Sequence, residues 1–161
     1  MNKLSVRGIV AGLLAGSLLP AGCSREDKWV KNRPKVYATS GVVRQDGRPL
    51  ADAIVTFQPK EGVYGGTAST DAEGRYQLTT FKDFDGVTAG EFSVAIEKID
   101  WIPIESAEKT PPADGGVYLP PLKKVPRTAA RYADSSKSGL TAVVTAEGPN
   151  VFDYELDSKA R

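Results

Sequence analysis

The chain has 161 residues, 21 basic against 20 acidic, for a formal charge of +1, so it carries no broad electrostatic footprint for nucleic acid. It holds no histidine, which excludes Ser-His-Asp and Cys-His catalysis, imidazole general bases and His-ligated zinc. Its single cysteine, Cys23, excludes an internal disulfide and a cysteine-cluster metal site. With 40% hydrophobic and 8% aromatic residues, the composition suits one folded domain of ordinary size.

Residues 1–22 read as an export signal. Lys3 and Arg7 form a positive start, and Gly8 to Leu19 form an apolar stretch shorter than the roughly 20 residues that an ordinary membrane-spanning helix needs. Leu19-Pro20-Ala21-Gly22-Cys23 follows and resembles a lipobox, with Pro20 where leucine is usual. The resemblance implies cleavage before Cys23 and lipidation of its sulfur. More than one acyl chain is needed for lasting membrane attachment. Loss of residues 1–22 removes Lys3 and Arg7, leaving 19 basic residues against 20 acidic, net −1. Ser24, in place of aspartate, implies transfer to the outer membrane in a host with two membranes. Residues 23–35 then read as the lipidated cysteine and a polar tether with one aromatic, Trp29.

From Val36 to Asp157 short apolar runs with period-two alternation are cut by Gly, Asp and Pro, which predicts strands and no long helix. The expected strands are Val36–Val43, Ala53–Gln58, Tyr64–Thr70, Arg75–Phe81, Glu91–Lys98, Leu140–Thr145 and Val151–Leu156. Asp46-Gly47 and Asp71-Ala72-Glu73-Gly74 read as turns. The expected core is Val43, Val55, Phe57, Tyr76, Leu78, Phe92, Val94, Ile96, Val144, Phe152, Tyr154 and Leu156. Residues 100–138 carry six prolines and read as a long excursion without a long strand, with Tyr118-Leu119 as a short edge element. Residues 158–161 read as a fraying tail. This pattern predicts an all-β domain of the β-sandwich class.

The run SGVVRQDGRPLADAIVTFQP resembles the opening of the carboxypeptidase regulatory-like, transthyretin-like domains through Gly41, Val43, Asp46, Gly47, Pro49, Leu50, Ala53, Val55 and Phe57. Their second signature is matched by Thr70, Asp71, Gly74, Tyr76 and Leu78. Gly90-Glu91-Phe92-Ser93-Val94 resembles their Pro-Gly strand start, with Ala89 replacing the proline. Tyr132, Asp134, Ser138, Gly139 and Leu140, with Phe152, Tyr154 and Leu156, resemble the closing motif of a bacterial lipoprotein branch. The resemblance spans roughly residues 38–157 and implies a seven-stranded Greek-key sandwich acting as an accessory module without established activity. Two enzyme groups on similar sandwiches, the hydroxyisourate hydrolases and the intradiol dioxygenases, need histidines that are absent here.

The expected function is therefore a lipid-anchored, non-catalytic module of the cell envelope that binds a protein or glycan and takes no cofactor. Trp101, Ile102, Tyr118 and Leu119 are the candidate contact residues, because aromatic and apolar side chains bunch there beside prolines. A second reading makes the chain a small Asp/Glu-dependent hydrolase or a calcium-binding module. Its metal candidates are Asp83 and Asp85, in a loop that lacks the remaining ligands of an EF-hand. A third makes it an accessory domain serving a separate peptidase.

Overall fold

Alternation of buried and more exposed side chains runs through the strands Thr39–Gln45, Ile54–Pro59, Gly90–Glu97 and Leu140–Val144. The computed structural model describes Val30, residues 32–104 and residues 119–160. Cys23, Ser24, Trp29 and Tyr118 lie outside the described residues. The chain divides into two units, Met1–Arg33 and Pro34–Arg161, and the second carries all the strands that follow.

The described residues are all-β, arranged in several sheets, with one short 3-10 turn at Ala130–Ala133. In chain order the strands are β1 (Val36–Tyr37), β2 (Thr39–Gln45), β3 (Arg48–Pro49), β4 (Ile54–Pro59), β5 (Gly66–Ser69), β6 (Arg75–Gln77) and β7 (Val87–Thr88). They continue with β8 (Gly90–Glu97), β9 (Ile99–Pro103), β10 (Leu122–Pro126), β11 (Leu140–Val144), β12 (Asn150–Val151) and β13 (Tyr154–Leu156). The first large sheet is antiparallel, in the order β11-β8-β4-β5. The second is built on β2. One edge of β2 takes β6 and β3 antiparallel, and the other takes β12 and β13 parallel. The Asp46-Gly47 link between β2 and β3 has φ of 51° and 76°, the positive pair a two-residue hairpin turn requires.

The two sheets enclose one core, an arrangement consistent with a β-sandwich. Phe57 of β4 sits at its centre, with the rings of Tyr76, Phe92, Phe152 and Tyr154 at 6.3, 5.8, 6.0 and 6.4 Å from its own. These aromatics come from both sheets, so one side chain couples the two layers; truncating such a phenylalanine costs about 3–5 kcal/mol. Eleven of the twelve expected core residues are buried and Phe152 is half-buried. Leu50, Ala53, Val87, Tyr132 and Ala142 are also buried. Val87 belongs to β7, although its chain neighbours are polar residues and glycines. The sheets meet at one corner, where Thr79, just past β6, bridges to Thr67 of β5.

Three expectations change. The first expected strand breaks at Ala38, and its opening piece, β1, pairs with β7 instead of the main sheet. The Pro-rich excursion holds a regular antiparallel ribbon, β9 with β10, in register from Ile99↔Pro126 to Pro103↔Leu122. Its prolines at 103 and 126 stand at strand ends, where a missing N–H is tolerated; Leu119 lies before β10 in no strand. The tail expected to fray is held through residue 160. Ser158 N–H donates to Asp46 (3.1 Å), Asp157 N–H donates to the Tyr132 hydroxyl (3.3 Å), and Ala160 packs on the core.

Candidate binding surface

Ribbon β9–β10 continues β8 past Lys98, where Arg127 N–H donates to the Lys98 carbonyl (2.8 Å). At the other end Ile104 N–H donates to the Pro121 carbonyl (2.9 Å). Two strands alone cannot bury a face. Directly opposed residues point to the same side, so Trp101 and Lys124 share one face and Ile102 and Lys123 the other. Trp101 is 60% exposed and Leu119 82%, and Ile102, Ile104 and Leu122 are also exposed. The base is fixed by ion pairs, Arg127 Nε to Asp100 at 2.6 Å and Lys124 Nζ to Glu97 at 3.4 Å. Of the sequence-derived contact residues, Trp101 and Ile102 are adjacent on β9 and turned to opposite faces. Leu119 approaches the same ribbon from the chain leading into β10.

The loop after Thr79 accounts for Asp85 otherwise than as a ligand. Its carboxylate accepts the backbone N–H groups of Thr80 (2.8 Å), Phe81 (3.1 Å) and Lys82 (2.8 Å). The side chain of Thr80 donates to the Gly86 carbonyl (2.7 Å), and Phe84 N–H donates to the Thr79 hydroxyl (3.0 Å). Gly86 has φ 92° and lies so close to the Tyr37 carbonyl that a Cβ would collide with it. Asp83 is exposed. Among the described residues no group of three or more His, Cys, Asp or Glu side chains stands together as a metal site. Phe81 packs edge-on against Tyr64 at 5.3 Å, whereas Phe84 is 67% exposed and takes φ 59°, a conformation costly for a side chain of its size.

Phe84 borders a feature that spacing along the chain did not reveal, an open cleft of about 890 Å³ over the outer face of β2 and β6. Ser40, Gln77, Arg75, Asp71, Val151 and Asp153 line it with Phe84. Arg75 is committed within the turn, with Nε on Asp71 (2.9 Å) and a terminal nitrogen on Glu73 (2.8 Å). That contact holds the Asp71 carboxyl below its usual range and raises the guanidinium. Asp153 accepts the Val42 N–H through one oxygen (2.8 Å). These residues come from five separate segments and are ordinary surface types, so no signal along the sequence marked the site.

No protein-family model matches the chain, and no curated protein matches it. A solved structure, a 9R-lipoxygenase from Cyanothece PCC8801, aligns with 78% of this chain at 13% identity and a TM-score of 0.33. The chain spans 17% of that protein's length, and a likeness at this level says nothing of activity.

Proposed function

We propose that this chain is a lipid-anchored, non-catalytic module of the bacterial cell envelope, held at the membrane by Cys23 and presenting a seven-stranded Greek-key sandwich of the carboxypeptidase regulatory-like kind to a protein or glycan partner. The anchor rests on the charged start, the short apolar stretch and the lone cysteine at its end. Among the described residues no helix is long and apolar enough to cross a membrane. The family reading rests on the order of four motifs, supported by an all-β architecture in which their residues fill core and turn positions.

The observation that carries a binding role is the ribbon, whose largest side chain, Trp101, is left mostly in solvent on a sheet extension pinned by ion pairs. A pre-ordered aromatic anchor of this kind loses little freedom on association. The favoured occupant is an envelope protein with an apolar patch, since Trp101 and Leu122 share one exposed face of the ribbon on which Lys124 is already paired with Glu97. The test is photo-crosslinking from position 122, exposed on the same face as Trp101, in the full-length chain in native membranes. The expected result is one discrete envelope protein, lost with Trp101→Ala. Crosslinks that are diffuse, or indifferent to Trp101, overturn the ribbon assignment. Mass spectrometry of the N-terminal peptide tests the anchor: an unmodified or absent Cys23 overturns it.

A further inference from the structure

The cleft beside Phe84 is separate from the ribbon and independent of it. We propose that it binds a neutral saccharide chain, with the Phe84 ring as the stacking platform and Gln77, Ser40 and Asp153 as hydrogen-bonding partners.

Phe84 is the first reason. A large apolar side chain stands exposed on backbone at φ 59°, in a loop that Asp85, Thr80 and Thr79 tie down at several points. The ring is therefore held out instead of being left loose. The C–H face of a sugar ring is apolar and weakly positive, and it complements the negative face of an aromatic ring. Val151, also exposed, extends the apolar surface of the cleft.

The polar lining is the second reason. Asp71 and Arg75 are paired with each other, which leaves the Asp153 carboxylate as the uncompensated charge of the lining and disfavours an anionic ligand. What remains for a ligand is Gln77, Ser40 and the second carboxylate oxygen of Asp153. Gln77 and Ser40 have no side-chain hydrogen bond among the described residues, and Asp153 uses its first oxygen on Val42. A planar amide and a carboxylate each match adjacent hydroxyl groups, and a few placed polar groups beside an apolar surface are the usual make-up of a small-ligand site.

The third reason concerns what the cleft cannot do. An extended peptide gains most of its affinity by adding to a free strand edge. Here the central strand, β2, is paired along both edges, with β6 and β3 on one side and β12 and β13 on the other. The outer edge of β6 is closed at Arg75 by Asp71 and at Thr79 by Thr67, so beside the cleft only the backbone of Gln77 is open, too little for an added strand.

The experiment is saturation-transfer NMR on the full-length chain in a zwitterionic detergent, with neutral tetrasaccharides of glucose, mannose, galactose and N-acetylglucosamine as probes. Transfer to at least one of them is expected, with affinity weakened about tenfold by Phe84→Ala and by Gln77→Ala. Trp101→Ala should leave it unchanged, which separates this site from the ribbon. Phe84→Gly should lose binding while its thermal midpoint stays level or rises, because glycine takes this backbone conformation freely. No transfer to any probe overturns the proposal, as does transfer undiminished in Phe84→Ala.

Discussion

The hydroxyl of Tyr76 donates to the carbonyl of Phe152 at 2.7 Å, and the bond passes over Gly41. Phe152 lies in the gap between β12 and β13, where its N–H still donates to the Ser40 carbonyl (2.9 Å) and Asp153 takes the Val42 N–H. A Cβ on Gly41 would run into the Phe152 carbonyl. The glycine and the tyrosine thus perform one task, seating the interrupted last strand against β2.

Tyr76→Phe leaves the half-buried carbonyl without its donor and should destabilise the domain by about 1–3 kcal/mol. Gly41→Ala must displace the backbone of Phe152 and should cost more, about 3–5 kcal/mol. Urea unfolding of the two variants checks the order. Equal losses would mean that the hydroxyl, and not the close approach at Gly41, seats the strand.

Burial raises the ionisation of Tyr76 well above the usual phenol range, with the nearby Tyr154 and Asp153 adding to it, and burial also raises Tyr154. A raised native pKa means that the protonated phenols stabilise the fold below their unfolded value. That stability drains away as pH climbs past it. Two of the six tyrosines should therefore withhold their phenolate absorbance until the chain unfolds in alkali. A stopped-flow pH jump separates the phases; ionisation of all six in the dead time would contradict the burial.

Much of the architecture could be read from residue pattern because the pattern is local. Phe92, Val94 and Ile96 alternate without a break, and Asp46-Gly47 suits one kind of turn. Thr70, from the second motif, accepts the Ala53 N–H (2.8 Å) and donates to the Leu50 carbonyl (2.6 Å), so a side chain closes what no strand closes. The ribbon was hidden because prolines at strand ends look, in sequence, like prolines that forbid strands. Val87 was hidden by its polar neighbours. The exposure of Trp101 follows from a sheet extension that no spacing announces. The cleft depends on five segments meeting, which is a property of topology and not of any motif.

Asp134 organises the turn that precedes β11. It accepts the N–H and hydroxyl of Ser136 (2.9 and 2.6 Å) and pairs with Lys137 (3.0 Å). Ser136 is the main cause that brings its carboxyl down to about 2, with Lys137 next. The turn in turn places Ser138, whose buried hydroxyl donates to the Val94 carbonyl (2.6 Å). A depressed carboxylate stabilises the fold above its unfolded value, and this contribution is lost as pH falls from about 4 toward 2. Asp134→Asn should melt below the native chain at neutral pH, and the two curves should converge as acid is added. Scanning calorimetry across that range checks it; a constant offset would show that the carboxylate's charge plays no part.

Trp101 makes the last test, because its two roles predict opposite patterns. If the ribbon serves only to cover the sandwich, removing its largest side chain exposes surface beneath and the domain loses stability. Its 60% exposure argues against cover. Trp101→Ala should therefore change unfolding free energy by less than about 0.5 kcal/mol, the range of ordinary surface substitutions. Iodide should quench its emission in the folded chain, read in a Trp29→Phe background so that one indole remains. Val55→Ala, at a fully buried position of β4, serves as the contrast and should lower stability by about 1–3 kcal/mol. A loss at Trp101 as large as at Val55, with quenching suppressed, would return the ribbon to the core and remove the basis for a contact there.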